Sequence, residues 1–97
     1  MKLLFFSSPT CAPCAMMKPA FIEYVNTDNV DYELIDITTV DPDVLSKYEI
    51  RSVPSIVFEI NGDIAGKLVG AQPITKIKQM VDVYNGLNKS FKDTQCF

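Results

Sequence analysis

Leu3-Leu4-Phe5-Phe6 is the segment that most limits how this chain can fold. An unbroken apolar run leaves no polar side, so a strand made of it must be covered on both faces, and the run is too short for a helix. It therefore predicts a central strand with helices packed above and below the sheet. With Met1-Lys2 ahead of it, the run has the look of a secretory leader. Its apolar stretch stops at Ser7, however, short of the ~7–15 residues of a leader's core, and Pro9 follows. No other apolar stretch approaches the ~20 residues that span a bilayer. The expected location is a reducing cytoplasm.

Beyond the first strand, Ser7-Ser8-Pro9-Thr10 breaks the chain direction, and from Cys11 the apolar positions Cys14, Met17, Phe21 and Tyr24 recur at helical spacing. Pro19 falls inside this helix, where the loss of one backbone hydrogen bond predicts a bend rather than an end. Val30 to Ile37 reads as a second strand. Asp41-Pro42 supplies an Asx cap and a first-turn proline for a short helix with Val44, Leu45 and Tyr48 on its apolar face. Next, Ser55–Ile60 and Ile64–Val69 flank Asn61-Gly62, a strong hairpin signal that makes the third and fourth strands antiparallel. Pro73 opens a last helix carrying Ile74, Ile77, Val81 and Tyr84 on one side. Asn85-Gly86 is expected to close it and leave 87–97 as a polar C-terminal tail. A chain of 97 residues builds one core, so residues 1–97 are expected to form a single α/β domain. Its order is strand-helix-strand-helix-strand-strand-helix, giving a four-stranded mixed sheet with helices on both faces.

The chain has no histidine, which removes the commonest general base, Ser-His and Cys-His pairs, and zinc sites of mixed Cys/His type. A net charge of −3, with no run of Lys or Arg, argues against direct nucleic-acid binding. Chemistry then falls to the cysteines. Cys11-Ala12-Pro13-Cys14 stands where the first strand passes into a helix, a spacing and placement that let the two sulfurs bond. The first thiol faces unpaired N–H groups and the positive end of the helix dipole, which favour thiolate, so Cys11 is the expected nucleophile. Cys14, one turn inward on the apolar face, is the expected resolving thiol. Pro13 suits the first turn and Ala12 adds no charge; without a cation in the motif, the pair is expected to act as a reductant. Two other readings stay open: half of a zinc knuckle, for which the chain lacks enough further ligands, and a pair of buried structural thiols. No metal and no cofactor is expected. Val53-Pro54 heads the third strand, where an X-Pro bond is either an ordinary turn or a cis bond.

Taken in order, Cys11-Ala12-Pro13-Cys14 with Pro19, Tyr48-Glu49-Ile50-Arg51-Ser52-Val53-Pro54-Ser55, Asn61-Gly62-Asp63 and Val69-Gly70-Ala71 resemble the thioredoxin family, over about Leu3 to Tyr84. The resemblance implies a minimal thioredoxin fold without the usual opening strand and helix, a core shared with glutaredoxins. It also implies a protein that reduces protein disulfides and is recharged by a thioredoxin-reductase-like enzyme or by glutathione; the chain is expected to be a monomer and, from its charge and hydropathy, to bind neither nucleic acid directly nor a membrane. Carried over by position, Pro54 is the cis-proline facing the dithiol and Val53 offers its backbone to substrate. Val69, Gly70 and Ala71 form another wall of the substrate groove, and Thr10 a third. Two positions depart from the family. Thr10 stands where thioredoxins carry Trp, and Phe5 where they carry a buried Asp that assists the resolving thiol; either Glu33, the neighbouring thiolate or water takes over that task, or resolution is slower. The alternatives are a glutathione-recharged glutaredoxin and a thioredoxin-like binding module whose thiols are dispensable. Cys96 reads as an idle thiol in the tail, with an accessory redox or intermolecular role as the alternative.

Overall fold

A computed structural model of the chain describes residues 1–95, with side chains described through residue 85. In chain order the elements are β1 (Lys2–Ser7), α1 (Ala12–Thr27), β2 (Asp31–Asp36), α2 (Pro42–Lys47), β3 (Ser55–Ile60), β4 (Asp63–Val69) and α3 (Ile74–Gln95). The four-stranded sheet has the order β2-β1-β3-β4. β1 runs parallel to β2 and antiparallel to β3, and β3 runs antiparallel to β4.

β1 is central, as its unbroken apolar run requires, and Leu3, Leu4, Phe5 and Phe6 are all 3% exposed or less. Alternation splits them. Leu3 and Phe5 join Met17, Phe21 and Val25 of α1, Ile56 and Phe58 of β3, and Ile77 and Val81 of α3. Leu4 and Phe6 join Ile35, Tyr48 and Val57 under α2, with Val44 and Leu45 packed against them. The strand thus serves two half-cores, and each fully buried side chain of this size stabilises the fold by ~1.5–3 kcal/mol.

Turns and caps follow the local chemistry. Asn61 (φ 53°) and Gly62 (φ 84°) both take the positive φ that a tight hairpin of the primed type needs. Asp41 caps α2 by accepting the Asp43 N–H at 2.9 Å. Pro19 lies inside α1 without ending it. The predicted end of the last helix is corrected: α3 continues through Asn85-Gly86 to Gln95. A helical Gly costs only about 1 kcal/mol relative to Ala and breaks no hydrogen bond, so it is a weak stop within a long helix. Cys96 lies outside the described residues. No helix among the described residues is long and apolar enough to cross a membrane.

Candidate active site

Strand register gathers three loops at one end of the sheet. Phe6, near the end of β1, lies opposite Ser55 at the start of β3, and Ser55 lies opposite Val69 at the end of β4. Ser8–Cys11, Ser52–Pro54 and Gly70–Pro73 consequently leave or enter the sheet at the same edge.

The first of these loops presents the cysteines. Ser8 shapes it, with its Oγ accepting the Thr10 N–H at 3.3 Å and its carbonyl accepting the Cys11 N–H at 3.2 Å. Cys11 is then the N-cap of α1, in extended backbone geometry, and its Sγ accepts the Cys14 N–H at 3.2 Å. A sulfur therefore stands where Ser or Asp stands in most helix caps, at the positive end of the helix, and no acidic residue lies in the first turn to oppose a thiolate. Pro13 occupies the first turn, where its missing N–H leaves nothing unpaired. Cys11 and Cys14 are joined as a disulfide, with Cα atoms 5.2 Å apart. Their surroundings differ: Cys11 is partly exposed, while Cys14 is 1% exposed on the inner face of α1 with Met17 and Phe21. Among the described residues no group of His, Cys, Asp or Glu is arranged to hold a metal.

The other two loops are tied to each other. The Val53–Pro54 peptide bond is cis, Pro54 is buried and Val53 is partly exposed. Gly70 donates its N–H to the Pro54 carbonyl at 2.8 Å, and Gln72 Nε2 donates to the Val69 carbonyl at 3.2 Å. Val69, Gly70 and Ala71 thereby form a continuous rim beside Pro54, with Val69 and Ala71 exposed. Thr10 is exposed next to Cys11, with its Oγ1 3.1 Å from Ser8 Oγ. Ala12 is exposed as well.

Phe5 is fully buried, its ring centroid 4.8 Å from that of Phe21. The position to which the resemblance assigns an acid is therefore an aromatic contact here. Glu33, one of three candidates for that acid's task, is corrected. In register it pairs with Leu4, whose side chain faces α2, and its carboxylate is exposed and 3.5 Å from Lys2 Nζ. The sheet separates it from α1, so it cannot serve Cys14.

Sequence reading missed a brace and a groove. Lys67 Nζ donates to the carbonyls of Tyr48 and Glu49, at 3.3 and 2.8 Å, where α2 ends and Glu49 turns left-handed (φ 54°). The ammonium satisfies orphan carbonyls at the negative end of that helix and anchors the stretch leading to Val53-Pro54. Beside it, Tyr48 donates to Glu59 at 2.6 Å; that bond, reinforced by burial and the Glu59 charge, pushes the phenol up to about 12. The brace spans 18 residues and no local pattern announces it. The groove, about 510 Å³, runs along the outer side of Pro13 between α1 and the β4–α3 loop. Its clue was Met16, a methionine beside the motif off the predicted apolar face.

Residues 1–83 match the protein-family model described as Thioredoxin. Over 77 residues the chain is 31% identical to a thioredoxin of Mycoplasmoides gallisepticum, covering 78% of this chain and 76% of that protein. Over 83 residues it is 30% identical to the chloroplastic thioredoxin M5 of rice, Oryza sativa, covering 84% of this chain; it spans about half, 48%, of the rice protein. The fold is similar to that of thioredoxin 1 from Thermosipho africanus, with a TM-score of 0.81 over 92% of this chain and 99% of that one, at 18% identity. These likenesses do not favour the glutathione-recharged glutaredoxin alternative.

Proposed function

This chain belongs to the thioredoxin family of disulfide oxidoreductases, and we propose that it reduces protein disulfides, with Cys11 as nucleophile and Cys14 as resolving thiol. The observation that carries the reading is the Cys11–Cys14 pair itself: bonded, at the N-terminus of α1, one sulfur reachable and the other buried. In the reduced protein the Cys11 thiolate attacks one sulfur of the substrate disulfide. That S–S bond breaks, one substrate sulfur leaves as a thiolate and takes up a proton, and a Cys11–substrate mixed disulfide forms. Cys14, losing its proton, then attacks the Cys11 sulfur and expels the second substrate thiolate. Two electrons have passed to the substrate, and the protein is left in the Cys11–Cys14 disulfide form.

Partner surfaces follow from the same edge. Val53, cis-bonded to Pro54, offers backbone groups to an extended substrate segment, and Val69, Gly70, Ala71 and Thr10 border it; their convergence through the register supports that assignment. Family membership implies disulfide-containing protein substrates and a reductase that returns the pair to the dithiol. A reducing cytoplasm suits a chain whose working state is the dithiol. The test is reduction of insulin disulfides by the reduced protein. Wild type is expected to precipitate insulin chains, and Cys11→Ser to abolish the reaction; activity retained in Cys11→Ser would refute the assignment. Cys14→Ser is expected to trap the mixed disulfide, visible as a mass adduct.

A further inference from the structure

The groove beside the dithiol has a lining unlike the rest of this surface. Pro13, Met16, Met17 and Ala20 of α1 form one side, and Ala71, Gln72, Pro73 and Ile74 form the other. None of these carries a charge, although 22% of the chain is charged, and Gln72, the one with a polar side chain, is engaged with the Val69 carbonyl. Met16 stands at the mouth with 83% of its surface exposed. A long unbranched thioether in water costs burial energy that an Ala or Lys would not, and it adapts to whatever apolar shape covers it.

Continuity decides what covers it. Pro13 separates Cys11 from Cys14 in the chain, so the groove begins at the motif; its opposite side begins at Ala71, on the rim tied to Pro54. Whatever presents a sulfur to Cys11 must lay its neighbouring residues across this edge. The chain's own last helix does not cover the groove: from Ile74, which lines it, α3 carries the backbone about 30 Å away by Gln95.

We propose that this groove is a specificity subsite for the disulfide reaction, holding an apolar side chain that flanks the attacked cysteine in the substrate protein, with Met16 closing over it. The inference rests on the disulfide-reductase reading above. Its occupant is an aliphatic or aromatic residue of an extended segment; acidic and small polar flanks leave the groove unfilled and are turned over less efficiently.

The test uses the reduced full-length protein and peptide pairs linked by a disulfide, identical except for Leu or Ser beside the attacked cysteine. Wild type is expected to favour the Leu peptide by about tenfold in kcat/KM, the low end of what burying a Leu contributes in an open groove. Met16→Gln and Ala20→Gln, both at exposed positions, are expected to bring that ratio to within about twofold of unity. Rates with bis(2-hydroxyethyl) disulfide, a small disulfide with no apolar flank to fill the groove, normalise for the state of the dithiol. Equal kcat/KM for the two peptides in wild type, or a preference unchanged in both variants, overturns the proposal. A concentration-dependent wild-type dimer that Met16→Gln disperses, with no peptide preference, overturns it in favour of self-association. Failure of wild type to react with the small disulfide at all overturns the reductase reading as well, so the two failures are told apart.

Discussion

The N–H of Gly70 donates to the carbonyl of Pro54 at 2.8 Å, and this bond makes two loops from different parts of the chain into one wall beside the dithiol. It depends on backbone shape. Gly70 has φ 86°, a conformation that costs an L-residue free energy even though a Cβ there would meet nothing within 4 Å. Gly70→Ala is therefore expected to lose about 1–2 kcal/mol of stability from strain alone. Because the strain falls on the bond to Pro54, kcat/KM for protein disulfides should fall several-fold while the rate with a small disulfide changes little. Chemical denaturation with both assays checks this, and an equal loss on both substrates would argue for a general defect instead.

Phe5 gives a second prediction. By the resemblance, an acid at this position assists the resolving thiol, and the contact with Phe21 shows what the exchange involves. Phe5→Asp removes a fully buried ring, worth ~3–5 kcal/mol by analogy with Phe→Ala, and also buries a carboxyl. The variant is expected to be several kcal/mol less stable, with its Asp titrating above the ordinary carboxylate range. In molecules that remain folded, verified by near-UV circular dichroism, release of substrate thiol from the mixed disulfide should accelerate. An unchanged release rate would show that water or the neighbouring thiolate suffices here.

How much of this was visible beforehand depends on how local each cause is. The Leu3–Phe6 run predicted a central strand because alternation alone sends its side chains to opposite half-cores. Cys11 could be set at the start of the first helix because strand, breaker and helical period meet at one point in the sequence, while its capping bond to the Cys14 N–H came only with the structure. What could not be read depends on residues that meet only after folding. Glu33 was a plausible proton acceptor until pairing with Leu4 placed it across the sheet from α1. Lys67 reaches α2 over 18 residues. The groove needs Met16 and Ile74 on facing sides of one cleft, a consequence of how α1 and α3 pack. Asn85-Gly86 misled for a different reason: a local preference of about 1 kcal/mol yields to the cooperative extension of a helix already formed.

Tyr24 predicts a dependence on alkaline pH. Burial, with the charges of Asp28 and Asp82 adding, pushes its phenol from 10.0 to about 12. The unfolded chain thus releases this proton first. The contribution is fully present below pH 10, declines as the unfolded phenol ionises, and is lost as pH rises through about 12. Tyr24→Phe removes this share of the alkaline decline. It also removes a buried hydroxyl that has no hydrogen-bond partner among the described residues, so at pH 7 the variant should match or exceed wild type by up to about 1 kcal/mol. Urea unfolding of both proteins from pH 7 to 11.5 checks the pair of expectations. A variant that is weaker at neutral pH and declines in parallel with wild type would reject them.

Gly66 gives the sharpest packing test. It sits opposite Phe58 in the sheet, and the Tyr84 ring lies 5.3 Å from the Phe58 ring, filling the space a side chain at position 66 would occupy. A Cβ built there would collide with the Tyr84 hydroxyl and come within 2.9 Å of the ring carbon that bears it. Gly66→Ala should therefore displace Tyr84 from β3 and cost ~1–3 kcal/mol, the usual range for overpacking. The collision is worst at the hydroxyl, so Tyr84→Phe should recover part of that loss in the double variant while costing little alone. A double-mutant cycle by urea denaturation measures the coupling, expected to be favourable by ~0.5–1.5 kcal/mol. Strict additivity would mean that Tyr84 does not fill this site in solution.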